Sequence, residues 1–202
     1  MRSGGAVTPI GIVLLLAGSA FLAASREGDP ASAEDVACHS PRWPVKTLSD
    51  SRAHLVDFHP RHTRVNHLRH KPRPRVRRHS PRLRGVERKT FSVRARLIEF
   101  ALAEDHDIHL VISSHRRART MIVEFPNVRC NGARDSIKKR AMRRARNQLT
   151  AACGFPSSSF TPLDGKARIT GVGFFDLLHG QRGVAPNGIE LHPVLRFDHA
   201  DC

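Results

Sequence analysis

The sequence predicts a mainly β domain in the order β-β-β-α-β-β, closed into a small five-stranded barrel with one helix. Three observations lead there. From Thr90 onward, apolar and polar residues alternate in five separate runs. One intervening run, from Asp135 to Ala152, repeats instead at helical spacing. Three strands, a helix and two strands is the element order of the OB-type Greek-key barrel, which binds oligomers across its second and third strands. A small α+β sheet with one packed helix satisfies the same pattern. The barrel is preferred because the first run is long enough to bend and serve both edges.

Four segments precede or make up this domain. Met1-Arg2, the apolar run Ile10 to Ala17 and the small-residue site Ala31-Ser32-Ala33 read as a secretory signal over 1–33. The apolar run is short for a membrane span. Residues 34–58 read as an irregular lead-in. Residues 59–89 hold twelve Lys or Arg, one acid (Glu87) and the prolines Pro60, Pro72, Pro74 and Pro81. Like charges repel and little can be buried, so this segment is expected to be an extended arm or linker. The OB-like domain is then 90–202.

Within that domain Phe91, Val93, Ala95 and Leu97 mark one face of the first strand. Ile108, Leu110 and Ile112 mark the second, and TMIVEF (120–125) is the third. Asp135 or Ser136 can cap the helix. Ile137, Ala141, Ala145 and Leu149 form its apolar stripe, and Gly154 ends it. ARITGVGFFDLL (167–178) is the fourth strand, its glycines suggesting a bulge. Asn187-Gly188 is a turn signal before the last strand, IELHPVLRF. Pro193 argues for an edge or a bulge there, since it has no N–H to donate.

Four cysteines in an exported chain are expected to form two disulfides, with three possible connectivities. Cys130 and Cys153 flank the helix and are the expected pair, which leaves Cys38 and Cys202. The formal net charge is +16. Residues 1–33 contain two basic residues (Arg2, Arg26) and two acids (Glu27, Asp29), so their removal leaves +16. Such a charge attracts polyanions: nucleic acid, an acidic cell-surface polymer or, peripherally, an anionic membrane surface. Arg94, Arg96, Arg116, Arg117 and Arg119 on the strand side, with Lys138, Lys139 and Arg143 on the helix, are the candidate polyanion-binding residues. With no Tyr and one Trp, base stacking has little support.

Carboxylates and imidazoles interrupt the apolar strands. Asp105, Asp107 and His109 alternate with apolar residues, and Glu190 and His192 share a face of the last strand. Glu124 stands in the third strand; Asp176 and His179 stand at the final loop. Asp107, His109, Glu190 and His192 are the candidate ligands for one divalent cation, convergent if their strands are neighbours. Glu190 or Asp107 is then the candidate catalytic base. The alternative is a polar network on a half-exposed sheet face. No H-E-x-x-H, G-x-S-x-G or phosphate-binding glycine loop occurs.

The runs VKTLSD, EDHDIHLVIS, TMIVEFP, AACG, ITGVGFFD and, most specifically, HGQRGVAPNGIELHPVL resemble a family of uncharacterised exported bacterial proteins. The resemblance covers nearly all of the chain after the signal and brings no residue role with it. In strand order the chain is also similar to barrel-fold nucleases of the staphylococcal type, in which acids hold calcium and arginines meet phosphate. No acid or arginine aligns to that pattern. The expectation is a secreted or extracytoplasmic, disulfide-containing basic protein that binds a polyanion. Two alternatives stand beside it: a metal-dependent hydrolase of phosphodiesters, and a surface structural protein.

Overall fold

The computed structural model describes residue 1, residues 4–5, 38–114 and 119–202. The expected signal at 1–33 lies almost wholly outside the described residues, as do Arg116 and Arg117. The protein is mainly β, with a six-stranded mixed sheet and one main helix. The strands are β1 (Asp57–Thr63), β2 (Lys89–Leu102), β3 (Ile108–Ser113), β4 (Thr120–Phe125), β5 (Thr161–Phe175) and β6 (Ile189–Asp201). The helices are α1 (Trp43–Lys46), α2 (Val65–Arg69) and α3 (Lys139–Cys153). The sheet order is β1-β2-β3-β4-β6-β5, and β2 also pairs with β5. Five strands therefore follow one another in a closed circuit of hydrogen-bonded ladders. The 14-residue β2 makes this possible: its register shifts between Leu97 and Glu99, where one strand serves β3 and β5 together.

The inward face carries Phe91, Val93, Leu97, Ile108, Leu110, Ile112, Met121, Val123, Phe125, Ile189, Leu191 and Phe197. This is the alternation expected of a pleated strand. The amphipathic α3 adds Ala145 and Leu149 to the same core. The glycines of β5 do mark irregular pairing with β6, at Thr170/Gly171 and Gly171/Gly173. A side chain at Gly171 would meet the Pro193 carbonyl at 2.8 Å. Pro193 sits in that irregular stretch, between the paired residues Leu191 and Val194. It is a bulge proline and not an edge one, because β6 is flanked by β4 and β5.

Several expectations are corrected. The strand count is six, not five. β1 lies where the lead-in was expected to give way to the arm, and its mostly exposed side chains leave no alternation to read. It is an edge strand, parallel to β2, which suits Pro60. The segment expected as an arm also packs: Val65 and Leu68 join the core and Arg82 is 1% exposed. Asp35–Cys202 form one compact unit. α3 begins later than expected. Its N-cap is Lys138, without a side-chain cap, while Ser136 Oγ accepts from the Lys138 N–H at 3.1 Å and Ile137 is exposed. Gly154 ends it with φ 83°.

The disulfides are Cys38–Cys130 and Cys153–Cys202, not Cys130–Cys153. Cys130 lies in the loop before α3, where the N-terminal segment docks: Cys38, Trp43, Cys130 and Ala133 form a small buried cluster. Cys153 ends α3 beside the end of β6, so Cys202 is its neighbour. Two disulfides are compatible with an extracytoplasmic protein. No helix among the described residues is long and apolar enough to cross a membrane.

Candidate metal centre

The outward side of β3, β4 and β6 is not wet. His109, Glu124, Glu190 and His192 lie on it and are 9%, 7%, 1% and 0% exposed. Register brings them together. His109 pairs with Glu124 across the β3–β4 ladder, and Ile122-Val123 pair with Glu190-Leu191 across the parallel β4–β6 ladder. β3 and β6 are thus not neighbours. Glu124, on the strand between them, joins the two halves that the sequence suggested. Asp107 reaches in from the β2–β3 turn, with Oδ1 fixed by the Asn127 N–H at 3.0 Å.

His192 is the centre of the cluster. Its Nε2 is 3.2 Å from Asp107 Oδ2, and its Nδ1 is 3.0 Å from Glu124 Oε2 and 3.9 Å from Glu190 Oε2. The 3.0 Å contact is short but poorly aligned. Glu124 Oε2, Glu190 Oε2 and His192 Nδ1 are therefore all buried without a hydrogen-bond partner. His109 is held from both sides: Nε2 meets the Arg182 carbonyl at 3.0 Å, and Nδ1 meets Glu124 Oε1 at 3.2 Å. Phe160 packs edge-on against its ring, and the Arg182 guanidinium covers Phe160. A buried ammonium closes the far side. Lys46 of α1 is 3.6 Å from Asp176 Oδ2 and packs over Phe174, whose ring also touches His192.

These contacts set the charges. Burial works against the charged form of His192, but Glu124 and Asp107 override it and hold the imidazolium well above its usual range. His109 is raised in the same way by Glu124, against its burial. Burial also works against ionised Glu124, yet His192, Lys46 and His109 hold it well below the usual carboxylate range. Burial lifts Asp107, and His192 offsets this only in part. Burial pushes Glu190 up to about 7, helped by Glu124 and Asp176. Lys46 is raised: burial lowers it, but Glu124, Asp176, Glu190 and Asp105 together outweigh that.

One ligand atom each from Asp107, Glu124 and His192 lie within 4.8 Å of one another. Ligands at roughly 2.0–2.2 Å from a cation stand about 3–3.5 Å apart; Asp107 Oδ2 lies at 3.2 Å from His192 Nε2, as a hydrogen-bond partner, while Glu124 Oε2 faces the other ring nitrogen, Nδ1. Of the four expected ligands, Asp107 and His192 belong to this triad. Glu190 stands beside it, and His109 braces Glu124 from outside. Glu124 was noted as an acid of the third strand but left out of the ligand set, and Lys46 was missed. Glu124 had a legible signal, a lone acid in an apolar strand. Lys46, in an irregular segment, had none.

The expected polyanion residues are dispersed. Arg94 and Arg143 are exposed, and Arg96 is 2.9 Å from Asp164. Arg119 is 3.4 Å from Asn66 Oδ1, and Lys138 stacks on Phe58 while Lys139 is half-buried. Asp105 accepts from the Asp107 N–H, and the exposed His179 takes no part. No protein-family model, curated protein or solved structure matches this chain.

Proposed function

We propose that the chain is an OB-like barrel that binds one divalent cation through Asp107, Glu124 and His192 and hydrolyses phosphodiesters of a polyanionic substrate outside the cytosol. One observation carries this reading: three buried polar atoms, Glu124 Oε2, Glu190 Oε2 and His192 Nδ1, converge without hydrogen-bond partners. His192 is held protonated against these two carboxylates, at 3.0 and 3.9 Å, so a cation bound there would take the place of its proton. The site's position also fits. In an OB-type ring the second and third strands and the loops before the second and after the fourth strand form the ligand face. Here those are β3, β4, the turn at 103–107 and the loop at 176–188.

A bound cation would supply a polarised phosphoryl oxygen and an activated water. The chain's own groups do the rest. Glu190, with a pKa of about 7, is poised as general base near neutral pH. His109 holds Glu124 in place, and Lys46 fixes a positive charge beside the carboxylates. The net charge of +16 draws a polyanion to the surface. That same charge favours a second reading, retention of a polyanion without turnover.

Metal analysis of protein purified without chelator or affinity metal tests the proposal. About one equivalent is expected in the wild type and none in folded Glu124→Gln. Activity on a phosphodiester should vanish with chelator and return with one cation. A wild type free of metal after dialysis against several divalent cations sinks the metal reading and leaves the polyanion binder.

A further inference from the structure

A second polar row lies on the ring and shares no residue with the acid–histidine cluster. Register aligns four residues across four neighbouring strands. His62 of β1 stands opposite Ser92 of β2, Ser92 opposite Thr170 of β5, and Thr170 opposite Arg196 of β6. Paired residues project from the same side of a sheet. Here that side is the outer one, because the flanking Phe91, Val93 and Ile169 belong to the core.

Two short hydroxyl residues flanked by long ones make a hollow. A cavity of about 280 Å³ lies over the row, lined by Pro60, His62, Ser92, Arg168, Thr170 and Arg196. Ser92 and Thr170 form its floor, 4% and 6% exposed. Among the described residues neither hydroxyl makes a hydrogen bond, and neither Arg168 nor His62 has a polar partner. Arg196 spends only its Nε, on Asp198 Oδ2 at 3.1 Å. No carboxylate is among the lining residues; the acid beside the row is Asp198, the register partner of Arg168, which faces Arg196 Nε. No large apolar side chain lines the cavity, which excludes a hydrophobic ligand.

We propose that this hollow is a subsite for a tetrahedral oxyanion, a phosphate group of an extended chain. The two hydroxyls meet its inner oxygens. The guanidinium groups of Arg168 and Arg196 supply the paired N–H donors that suit phosphate, and His62 closes the rim. The site does not depend on the metal reading.

Calorimetric titration with inorganic phosphate, in chloride buffer at low ionic strength, tests this. One saturable phosphate per chain is expected. Arg168→Gln/Arg196→Gln should weaken it by roughly tenfold or more, since a charge-assisted hydrogen bond is involved at each position. Thr170→Val, close in shape, should weaken it less but measurably. Arg140→Gln/Arg144→Gln removes the same charge from exposed positions on α3 and should leave the affinity within about twofold. Equal losses in both double variants would mean diffuse attraction and would overturn the site. So would non-saturable binding. Saturation by sulfate but not by phosphate would overturn the phosphate assignment. Glu124→Gln should retain phosphate binding, which separates the failure of this site from failure of the metal centre.

Discussion

Glu190 is held at its pKa of about 7 by burial, and this makes it a measurable cost of the fold. A carboxyl whose pKa is raised by folding binds its proton more tightly in the native state. Its penalty is absent below the unfolded value of about 4.5, grows as pH rises toward 7, and is constant above that. In chelated protein, Glu190→Gln should therefore be more stable than wild type by about 3 kcal/mol at pH 8, and no more stable at pH 4. Urea denaturation at the two pH values checks this. An equal gain at both would assign the effect to shape and not to charge. At this scale Asp107, His109, Glu190 and His192 were legible because polar residues interrupted an apolar alternation. Their meeting point was not, because strand adjacency is a tertiary fact: β4 separates β3 from β6, and Glu124 is therefore the residue that joins them.

The segments before the ring that sequence patterning missed are held by buried ion pairs as well as by apolar contacts. Arg42 donates to both oxygens of Glu87 at 2.9 and 2.7 Å, both side chains are fully buried, and Arg42 also donates to the Phe175 carbonyl. Glu87 accepts in turn from the Leu83 and Phe175 N–H groups. Arg82 bridges Asp50 and the carbonyls of Val45 and Glu87. These contacts bind α1, the 3₁₀ turn Gly85–Arg88 and β5 into one unit. Glu87→Gln leaves Arg42 charged and uncompensated, and should cost about 3–5 kcal/mol in urea denaturation. A loss below about 1 kcal/mol would mean that the pair is replaceable by water. A run of Arg and Pro reads as solvated because little of it is apolar. Its folding here rests on a few specific acceptors on other elements, which no periodicity announces. The ring strands and α3 have strong periodicity of their own, so they were legible almost throughout.

On the scale of the whole molecule, the two disulfides close loops with sequence separations of 92 and 49 residues. Chain entropy assigns each about 4–5 kcal/mol. Non-reducing peptide mapping should recover Cys38 linked to Cys130 and Cys153 linked to Cys202. Cys153→Ser/Cys202→Ser should lower the urea midpoint while leaving the metal stoichiometry unchanged; recovery of a Cys130–Cys153 peptide would contradict the pairing described above. The pairing was illegible in the sequence because it depends on where the N-terminal segment docks. Ring closure has a separate consequence, in time. Thr90 pairs with Val172, a span of 172 − 90 = 82 residues, and Ile122 with Glu190, a span of 190 − 122 = 68. Contacts between such distant parts of a chain must meet the full entropy of loop closure before any ladder rewards it. Folding should therefore be slow beside that of a helical domain of equal size. Both closing ladders need β5 or β6, so the ring closes only through contacts of long sequence separation.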